Sequence, residues 1–396
     1  MIERFLRMGT MIGAALVLAL SAAAAPAAEP AATADWPPYA TVRDETSLYI
    51  RWRTAEPSQD RLILYGDGAK KELGTFAEKA PLQAHRVLLE GLKPGALYPY
   101  RISGTKNAGM EGQLRVPRQG RELNFFVIGD TQALTEPGTL DMELSRQRLT
   151  VDAIAGDPVP GDFLVHTGDL VESGNLPEWN GFFHLIAPLT SRMPLFAVKG
   201  NHDDRTGRFV EAFAFPLGEK PYGTDWHHFA TENALFIFLN LNFSSIPQVS
   251  ETDYWLSLVL EQFKDRKWKF VFTHQPIYSN VERDSDTPYR ALFEPLFIKY
   301  GVDVVFSGHH HAYQRISRNG VTYIVSGGGG AATYSPLMDR RLEGTAKTEE
   351  KTLHYLRGRI LGDTFVLDVR LVGRENQPGN VERADGEIDR FERTKP

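Results

Sequence analysis

The sequence predicts a multidomain fold: an N-terminal antiparallel β-sandwich, then an α/β domain with one largely parallel sheet or two such sheets face to face. Three observations support this prediction. Residues 36–117 alternate short strand patterns with turn residues and keep no helical period for long. After Arg118, buried-strand patterns alternate with helical patterns. Polar residues capable of binding metals follow the ends of these later strands.

Composition limits the classes of partner. The chain has 396 residues, 42% of them apolar, and a formal net charge of −6 without a long block of one sign. A sizeable core is therefore possible, and no nucleic acid polymer is expected as the main partner. Because the chain has no cysteine, no disulfide is available, and the fold must rely on packing and on metal.

The first residues predict export. Arg4 and Arg7 precede an apolar run from Met11 to Leu20, and small residues follow around Ala25. This is the pattern of a secretory signal peptide, which we assign to residues 1–28. The apolar run is short for a membrane span. We therefore expect a bacterial periplasmic or secreted protein with no membrane attachment after signal removal.

The β-sandwich is predicted over residues 36–117 with about seven strands. Its clearest strand patterns are Ser47–Thr54, Arg61–Tyr65, His85–Leu89 and Leu97–Ser103. The run from Leu92 to Tyr98 resembles the Leu-x-Pro-x-x-x-Tyr corner of fibronectin type III domains. Pro99 lacks a backbone donor and predicts an edge strand or a bulge at that point.

The α/β domain is predicted over residues 122–372. Its strand patterns are Leu123–Ile128, Phe163–His166, Leu195–Val198, Ala234–Asn240, Lys269–Thr273 and Val302–Phe306, with closing strands at Val321–Val325, Thr352–Ile360 and Thr364–Val372. Helical patterns occur at Leu140–Ile154, Glu178–Ala187, Tyr254–Phe263 and Tyr289–Tyr300. Residues 373–396 are polar and are predicted to form a surface tail.

Five of the predicted strands run into short polar motifs. In chain order these are Gly129-Asp130, Gly168-Asp169, Gly200-Asn201-His202, His274-Gln275-Pro276 and Gly308-His309-His310-His311. Ligands of open α/β sheets bind at the carboxyl ends of the strands. An Asp after a strand is usually a turn former, and a lone His is usually a core residue. The five motifs together are hard to explain except as a metal site.

The ordered set of motifs is similar to the signature of calcineurin-like metallophosphoesterases. The run Gly308–Arg315 most resembles the purple acid phosphatase version, and a sandwich precedes the catalytic domain in many of those enzymes. The resemblance covers residues 36 to 330 and extends toward 372. It implies a fibronectin type III-like domain followed by a metallophosphoesterase domain of two facing mixed sheets flanked by helices.

The resemblance also implies a role for each site residue. Asp169 would bridge two metal ions, Asp130 and His311 would bind the first ion, and Asn201, His274 and His309 the second. The all N/O ligand set suits Fe, Zn or Mn. Such a pair of ions makes hydroxide available from a bridging water and neutralises phosphoryl oxygens. His202 would protonate the leaving group as general acid, and Asn201, His202 and His309 would contact the substrate.

Two positions depart from the family pattern. Purple acid phosphatases have a Tyr where this chain has Glu172, and other calcineurin-like enzymes have an Asp there. Gln132 stands where the relatives have Gly or a His ligand. The first metal site therefore has an uncertain fourth ligand, which either residue could supply. Glu172 could alternatively accept a hydrogen bond from His202 and raise its pKa, a catalytic role that we favour.

The leading functional hypothesis is a hydrolase of small phosphate monoesters. The same metal pair would serve a phosphodiesterase acting on cyclic nucleotides or glycerophosphodiesters, and substrate choice would depend on the loops Pro221–His228, Asn242–Thr252 and Ser279–Asp286. A third hypothesis is a binding or adhesion protein with a decayed metal site. Four histidines are predicted to be structural or surface residues rather than ligands: His85, His166, His184 and His310.

Overall fold

The computed structural model describes residues 35–396 except 67, 69, 105–108, 133–139, 204, 214–225, 243–245, 281–287, 334, 336–341 and 378. The predicted signal peptide and parts of the three predicted substrate loops lie outside the described residues. Within the described part of the chain, no helix has the length and apolar character needed to span a membrane.

The N-terminal region is an antiparallel sandwich, as predicted. Its described strands are β1 (Trp36–Asp44), β2 (Ser47–Ser58), β3 (Asp60–Gly66), β4 (Lys71–Ala77), β5 (Leu82–Leu89), β6 (Leu97–Gly104) and β7 (Met110–Arg115). One sheet has the order β1-β2-β5 and the other β4-β3-β6-β7. The core between the two sheets includes Ile50, Trp52, Leu62 and Ile102, which are almost fully buried.

The predicted fibronectin-like corner is present, but the prediction for Pro99 is wrong in part. The backbone N–H of Lys93 donates a 2.9 Å hydrogen bond to the hydroxyl of Tyr98, which closes the corner. Pro99 lies in β6, an inner strand rather than an edge strand. It is tolerated because β6 pairs only with β7 at that point, and pairing with β3 begins at Tyr100, opposite Leu64.

The α/β region contains two facing mixed sheets with helices outside them. Its elements are β8 (Glu122–Ile128), α1 (Leu140–Ala155), β9 (Phe163–His166), α2 (Leu176–Thr190), β10 (Leu195–Ala197), α3 (Arg208–Phe213), β11 (Trp226–Ala230), β12 (Ala234–Leu239), α4 (Ile246–Gln262), β13 (Trp268–Thr273), α5 (Pro288–Tyr300), β14 (Val304–Ser307), β15 (Tyr313–Arg318), β16 (Val321–Ser326), β17 (Thr345–Glu349), β18 (Thr352–Leu361), β19 (Thr364–Gln377) and β20 (Asn380–Thr394). The sheet orders are β10-β9-β8-β18-β19-β20 and β11-β12-β13-β14-β16-β15-β17.

Aromatic side chains fill the space between these two sheets. Phe125 of β8 packs against Phe163, Phe236 and Phe306, with ring centroids 5.5, 5.5 and 6.2 Å away. The central strands alternate between this inner layer and a helix-covered outer face. The outer residues of the six-stranded sheet pack with α1 and α2, and those of the seven-stranded sheet pack with α4 and α5. The sheets are therefore buried on both faces around the strands that lead to the site.

The C-terminal residues correct the sequence prediction. Residues 373–396 are not a separate tail, because they complete β19 and form β20, an antiparallel edge strand of the six-stranded sheet. Asp389 of β20 accepts hydrogen bonds from the Tyr313 hydroxyl at 2.8 Å and from Arg315 Nε at 2.7 Å. The polar composition that suggested a tail suits an edge strand, where charges discourage pairing with other chains.

The sandwich and the α/β region pack into one compact unit. Trp36 and Tyr39 of β1 are almost fully buried. Their rings lie 4.7 and 4.4 Å from the ring of Phe183 on α2. The Tyr39 hydroxyl also donates to the carbonyl of Ala212 at 2.9 Å. The first strand of the sandwich is therefore part of the core that supports α2.

Candidate active site and metal centre

All five predicted motifs lie at the carboxyl ends of parallel strands. Asp130, Asp169 and Asn201 follow β8, β9 and β10, which are parallel neighbours in the six-stranded sheet. His274 and His309 follow β13 and β14, which are parallel neighbours in the seven-stranded sheet. Because the two sheets face each other, their carboxyl edges meet, and the motifs come together from both sides.

Three of these residues have a backbone conformation that is unfavourable for side chains with a Cβ. Asp130, Asp169 and His309 have φ values of 60°, 54° and 68°. Left-handed conformations in residues other than glycine cluster at functional sites, where the surrounding structure holds them in place. Because of the bend at His309, His309 and His311 do not lie on an extended strand.

The glycines within the motifs are explained by crowding around the carboxylates. A Cβ at Gly200 would overlap the carboxylate of Asp169, and a Cβ at Gly308 would overlap that of Asp130. Glycine therefore allows the backbone of one motif to approach the acidic side chain of another. The short distances between these loops and the two carboxylates therefore require glycine at positions 200 and 308.

Asp169, His274 and His309 form the tightest group of potential ligands. One donor atom from each of them lies within 4.8 Å of the others. His274 Nε2 is 3.2 Å from Asp169 Oδ2, 3.0 Å from Asn201 Oδ1 and 3.3 Å from His309 Nδ1. These are the four residues predicted to surround the second metal ion.

The carboxylates around His274 require a balancing positive charge. Its Nδ1 donates to the backbone carbonyl of Thr167 at 3.0 Å, which directs Nε2 and its lone pair toward the carboxylate and amide oxygens. Burial opposes the charged imidazole, but Asp169 and Asp130 raise the pKa of His274 to about 9. A proton or a metal cation must balance the carboxylates, and the donor set fits a metal.

Asp130 and His311 form the other side of the site. His311 Nε2 lies 3.5 Å from Asp130 Oδ1, and His311 Nδ1 donates to the carbonyl of Ala332. Asp130 Oδ1 also accepts the backbone N–H of His309 at 2.8 Å. Its buried Oδ2 has no hydrogen-bond partner among the described residues. A buried carboxylate oxygen is costly without a partner, so this arrangement fits the predicted first metal ion.

His202 lies at the rim and is paired with Glu172. Its Nδ1 is 3.1 Å from Glu172 Oε1 and 3.0 Å from the Glu172 carbonyl oxygen. The hydrogen bond to Glu172 raises the pKa of His202 to about 9. About a quarter of the His202 side chain, 26%, is exposed. The imidazole is therefore cationic near neutral pH and accessible to a bound substrate.

Asp203 is a functional residue that the sequence analysis missed. Its buried carboxylate accepts the backbone N–H groups of Asp169 at 2.9 Å, Leu170 at 2.7 Å and Gly200 at 2.6 Å. It thereby joins the loop that carries Asp169 to the loop that carries Asn201 and His202. Its position directly after Gly200-Asn201-His202 was the available signal, but a single Asp there also suits an ordinary turn.

The four histidines predicted to be structural have other partners or positions. His166 Nε2 lies 2.9 Å from the Thr131 hydroxyl, and His310 Nδ1 lies 2.6 Å from the Ser279 hydroxyl. His85 Nδ1 lies 2.7 Å from Glu78 Oε1 inside the sandwich. His184 is exposed on α2. None of the four belongs to the group of potential metal ligands found among the described residues.

Comparison with known proteins agrees with this arrangement. Residues 123–313 match the family model described as calcineurin-like phosphoesterase. Purple acid phosphatase 18 of Arabidopsis thaliana is 27% identical over 296 residues, which cover 68% of this chain and 64% of that protein. Purple acid phosphatase 15 of the same plant is 31% identical over 299 residues, covering 62% and 53%. The chain thus spans about half to two thirds of the length of the curated relatives it matches.

A solved structure shares the fold over most of the chain. Purple acid phosphatase PPD1 from yellow lupin (Lupinus luteus) seeds has a TM-score of 0.69 at 15% identity, covering 90% of this chain and 74% of that one. The family match, the order of the five motifs and this shared architecture lead to one assignment. Residues 123–313 form a calcineurin-like phosphoesterase domain similar to that of purple acid phosphatases, and the β-sandwich that precedes it has strands consistent with a fibronectin type III-like domain.

Proposed function

We propose that this protein hydrolyses small phosphate monoesters with two metal ions. The observation that carries the proposal is the convergence of carboxylate, amide and imidazole groups around Asp169 and His274. His202, which is paired with Glu172, lies next to them. When bound, the ions supply Lewis-acid charge and lower the pKa of water. Asp130, Asp169 and His311 would hold the first ion, and Asp169, Asn201, His274 and His309 the second.

His202 is proposed as the general acid. Its Nδ1 is engaged by Glu172, so Nε2 is the nitrogen available to a substrate. With a pKa of about 9, His202 carries a proton at neutral pH and can donate it to the leaving alkoxide oxygen. Asn201 is exposed and His309 is partly exposed, which supports their proposed contact with the phosphoryl group.

We also propose that the protein is exported and that its signal peptide is removed. The pattern of residues 1–28 supports secretion or a periplasmic location. The first measurement is mass spectrometry of the N-terminus of protein recovered outside the cytoplasm of a bacterial host. Removal of the leader near Ala25 is expected, and a mature protein that retains residues 1–28 would contradict the assignment.

The test of activity compares p-nitrophenyl phosphate with bis(p-nitrophenyl) phosphate after chelation and addition of Mn²⁺, Zn²⁺ or Fe. We expect metal-dependent hydrolysis with preference for the monoester. A preference for the bis ester would indicate a phosphodiesterase. No turnover of either ester with any of these metals would support a binding protein instead.

Two variants test the proposed binding of the two metal ions by Asp169 and His274. Asp169→Asn and His274→Ala should each lower kcat/KM by several orders of magnitude, because metal charge contributes several kcal/mol of transition-state stabilisation. His184→Ala, on the exposed face of α2, is the matched control and should retain activity. Near-normal turnover by a folded, metal-saturated Asp169→Asn protein would refute the bridging role.

A further inference from the structure

Gln132, one of the two candidates for the fourth ligand, lies inside the predicted first metal site. Its side chain is 6% exposed. The amide Nε2 is 3.2 Å from His311 Nε2 and 3.4 Å from Asp169 Oδ2. Its backbone N–H donates to the Asp169 carbonyl at 3.1 Å, which holds the residue beside the proposed bridging carboxylate.

The hydrogen bonds of this amide are incomplete, because its nitrogen rather than its oxygen faces His311 and Asp169. Gln132 Oε1 is buried and has no hydrogen-bond partner among the described residues, and the same is true of Asp130 Oδ2. A half-turn of the terminal amide exchanges its oxygen and nitrogen without changing its shape. Oε1 then faces His311 Nε2 and Asp169 Oδ2, so that every atom facing the site is an acceptor.

Glu172 does not compete for this position, because its carboxylate is paired with His202 Nδ1 at 3.1 Å. We therefore propose that Gln132 Oε1 is the fourth protein ligand of the first metal ion, with Asp130, Asp169 and His311. This inference rests on the proposed two-metal function.

The residue types of this ligand set suit a hard cation. Asp130 and Asp169 contribute carboxylates, and Gln132 contributes an uncharged amide oxygen. Amide and carboxylate oxygens suit hard ions such as Mn²⁺. Mn²⁺ is therefore the ion with which the site is tested.

The test is Mn²⁺ binding to the chelated, metal-free full chain, measured by isothermal titration calorimetry and by the electron paramagnetic resonance of free Mn²⁺. Wild type should bind two ions. The Gln132→Ala variant should still bind one ion tightly, but it should bind the first-site ion at least about 100-fold more weakly than wild type does. This loss exceeds the range typical of residues that only support a ligand. The Gln132→Glu variant should restore tight binding of the first-site ion, because a carboxylate oxygen reaches the same point.

Gln275→Ala is the matched control. This glutamine lies on the other side of the centre, where its Nε2 is 3.5 Å from Asn201 Oδ1, and its loss should leave the first ion bound. Circular dichroism of each metal-free variant verifies folding.

Two ions bound by a folded Gln132→Ala protein with unchanged or tighter affinity would overturn the proposal, since the amide would then be a bystander or a competitor. Fewer than two ions bound by wild type would instead refute the two-metal function, and the ligand assignment with it.

Discussion

Glu172 is the departure from the resembled family pattern that bears on the proposed role of His202 as general acid. The resemblance implies Tyr or Asp at this position, and the Glu of this chain lies 3.1 Å from the imidazole of His202. The start of α2 restrains the loop, since Glu178 Oε2 accepts the backbone N–H of Ser173 at 2.6 Å and the N-cap Asn175 accepts the backbone N–H of Glu178 at 3.0 Å. The longer Glu side chain therefore reaches His202 from a restrained turn.

Glu172→Ala should lower the pKa of His202 from about 9 toward its ordinary value of 6.5. Since a general acid must be protonated, the alkaline limb of kcat/KM against pH should move to lower pH. The rate on alkyl phosphates should fall far more than the rate on p-nitrophenyl phosphate, whose leaving group needs no proton. The variant should still bind two metal ions by elemental analysis.

Loss of one metal ion from Glu172→Ala, with both substrates falling alike, would contradict this assignment and make Glu172 a ligand. Glu172→Gln is the matched comparison, because it keeps the size of the side chain and removes its charge. It should show the same direction of pH shift as the alanine variant.

At the scale of elements, α1 holds the loop that orients His311. Arg146 is 2% exposed, and its guanidinium donates to the carbonyl of Ala331 at 2.8 Å and to Glu375 of β19 at 3.3 Å. The next residue, Ala332, accepts the Nδ1–H of His311. The backbone N–H of Ala331 donates to the Asp130 carbonyl at 3.1 Å. A buried ion pair therefore positions a loop that contacts two predicted ligands.

Arg146→Ala should lower the free energy of unfolding by about 3 kcal/mol, because it leaves Glu375 buried without its cation. It should also weaken binding of the first metal ion through the loosened Ala331–Ala332 turn. Urea unfolding of the metal-free protein measures the first effect. The paired replacement Arg146→Met with Glu375→Leu should recover most of the stability but not the metal affinity.

A loss below about 1 kcal/mol in Arg146→Ala would place this pair among ion pairs of little energetic consequence. Full recovery of first-site affinity in the paired replacement would show that packing, rather than the hydrogen bond to Ala331, positions the loop.

At the scale of the whole molecule, the sandwich and the catalytic region share buried surface. Trp36 and Tyr39 of the sandwich pack against Phe183, and Arg53 Nη1 lies 2.6 Å from Glu211 Oε1. Since these contacts tie β1 to α2 and β2 to α3, neither part retains its complete core alone. The described residues should unfold together.

Trp36→Ala should therefore destabilise the whole protein by about 3–5 kcal/mol, typical of removing a large buried aromatic side chain. Tyr39→Phe, which loses only the hydrogen bond to Ala212, should cost about 1 kcal/mol. Guanidinium unfolding followed by tryptophan fluorescence and by circular dichroism should give one coincident transition. Two separate transitions, only one of them shifted by Trp36→Ala, would show that the domains are energetically independent.

The sequence by itself determined most of the strands and helices that lead to the site, and the residues at the strand ends. Buried strands such as Leu123–Ile128 and Phe163–His166 are short apolar runs, and the polar motifs after them are visible because they interrupt those runs. Convergence of Asp130, Asp169 and His274 followed from the rule that parallel strands present their carboxyl ends at one edge.

Only the tertiary structure decided which partners those residues have. Asp203 and Asp389 act through contacts with chain segments that the local pattern does not specify. Residues 380–394 became a strand because β19 offered an unpaired edge, whereas their own composition suggests solvent exposure. The sequence left both Glu172 and Gln132 open as the fourth ligand, although it favoured the pairing of Glu172 with His202. In the structure Glu172 lies 3.1 Å from His202 and Gln132 lies 3.2 Å from His311. Periodicity reports which face of an element is buried, and it carries no information about which distant side chain lies opposite.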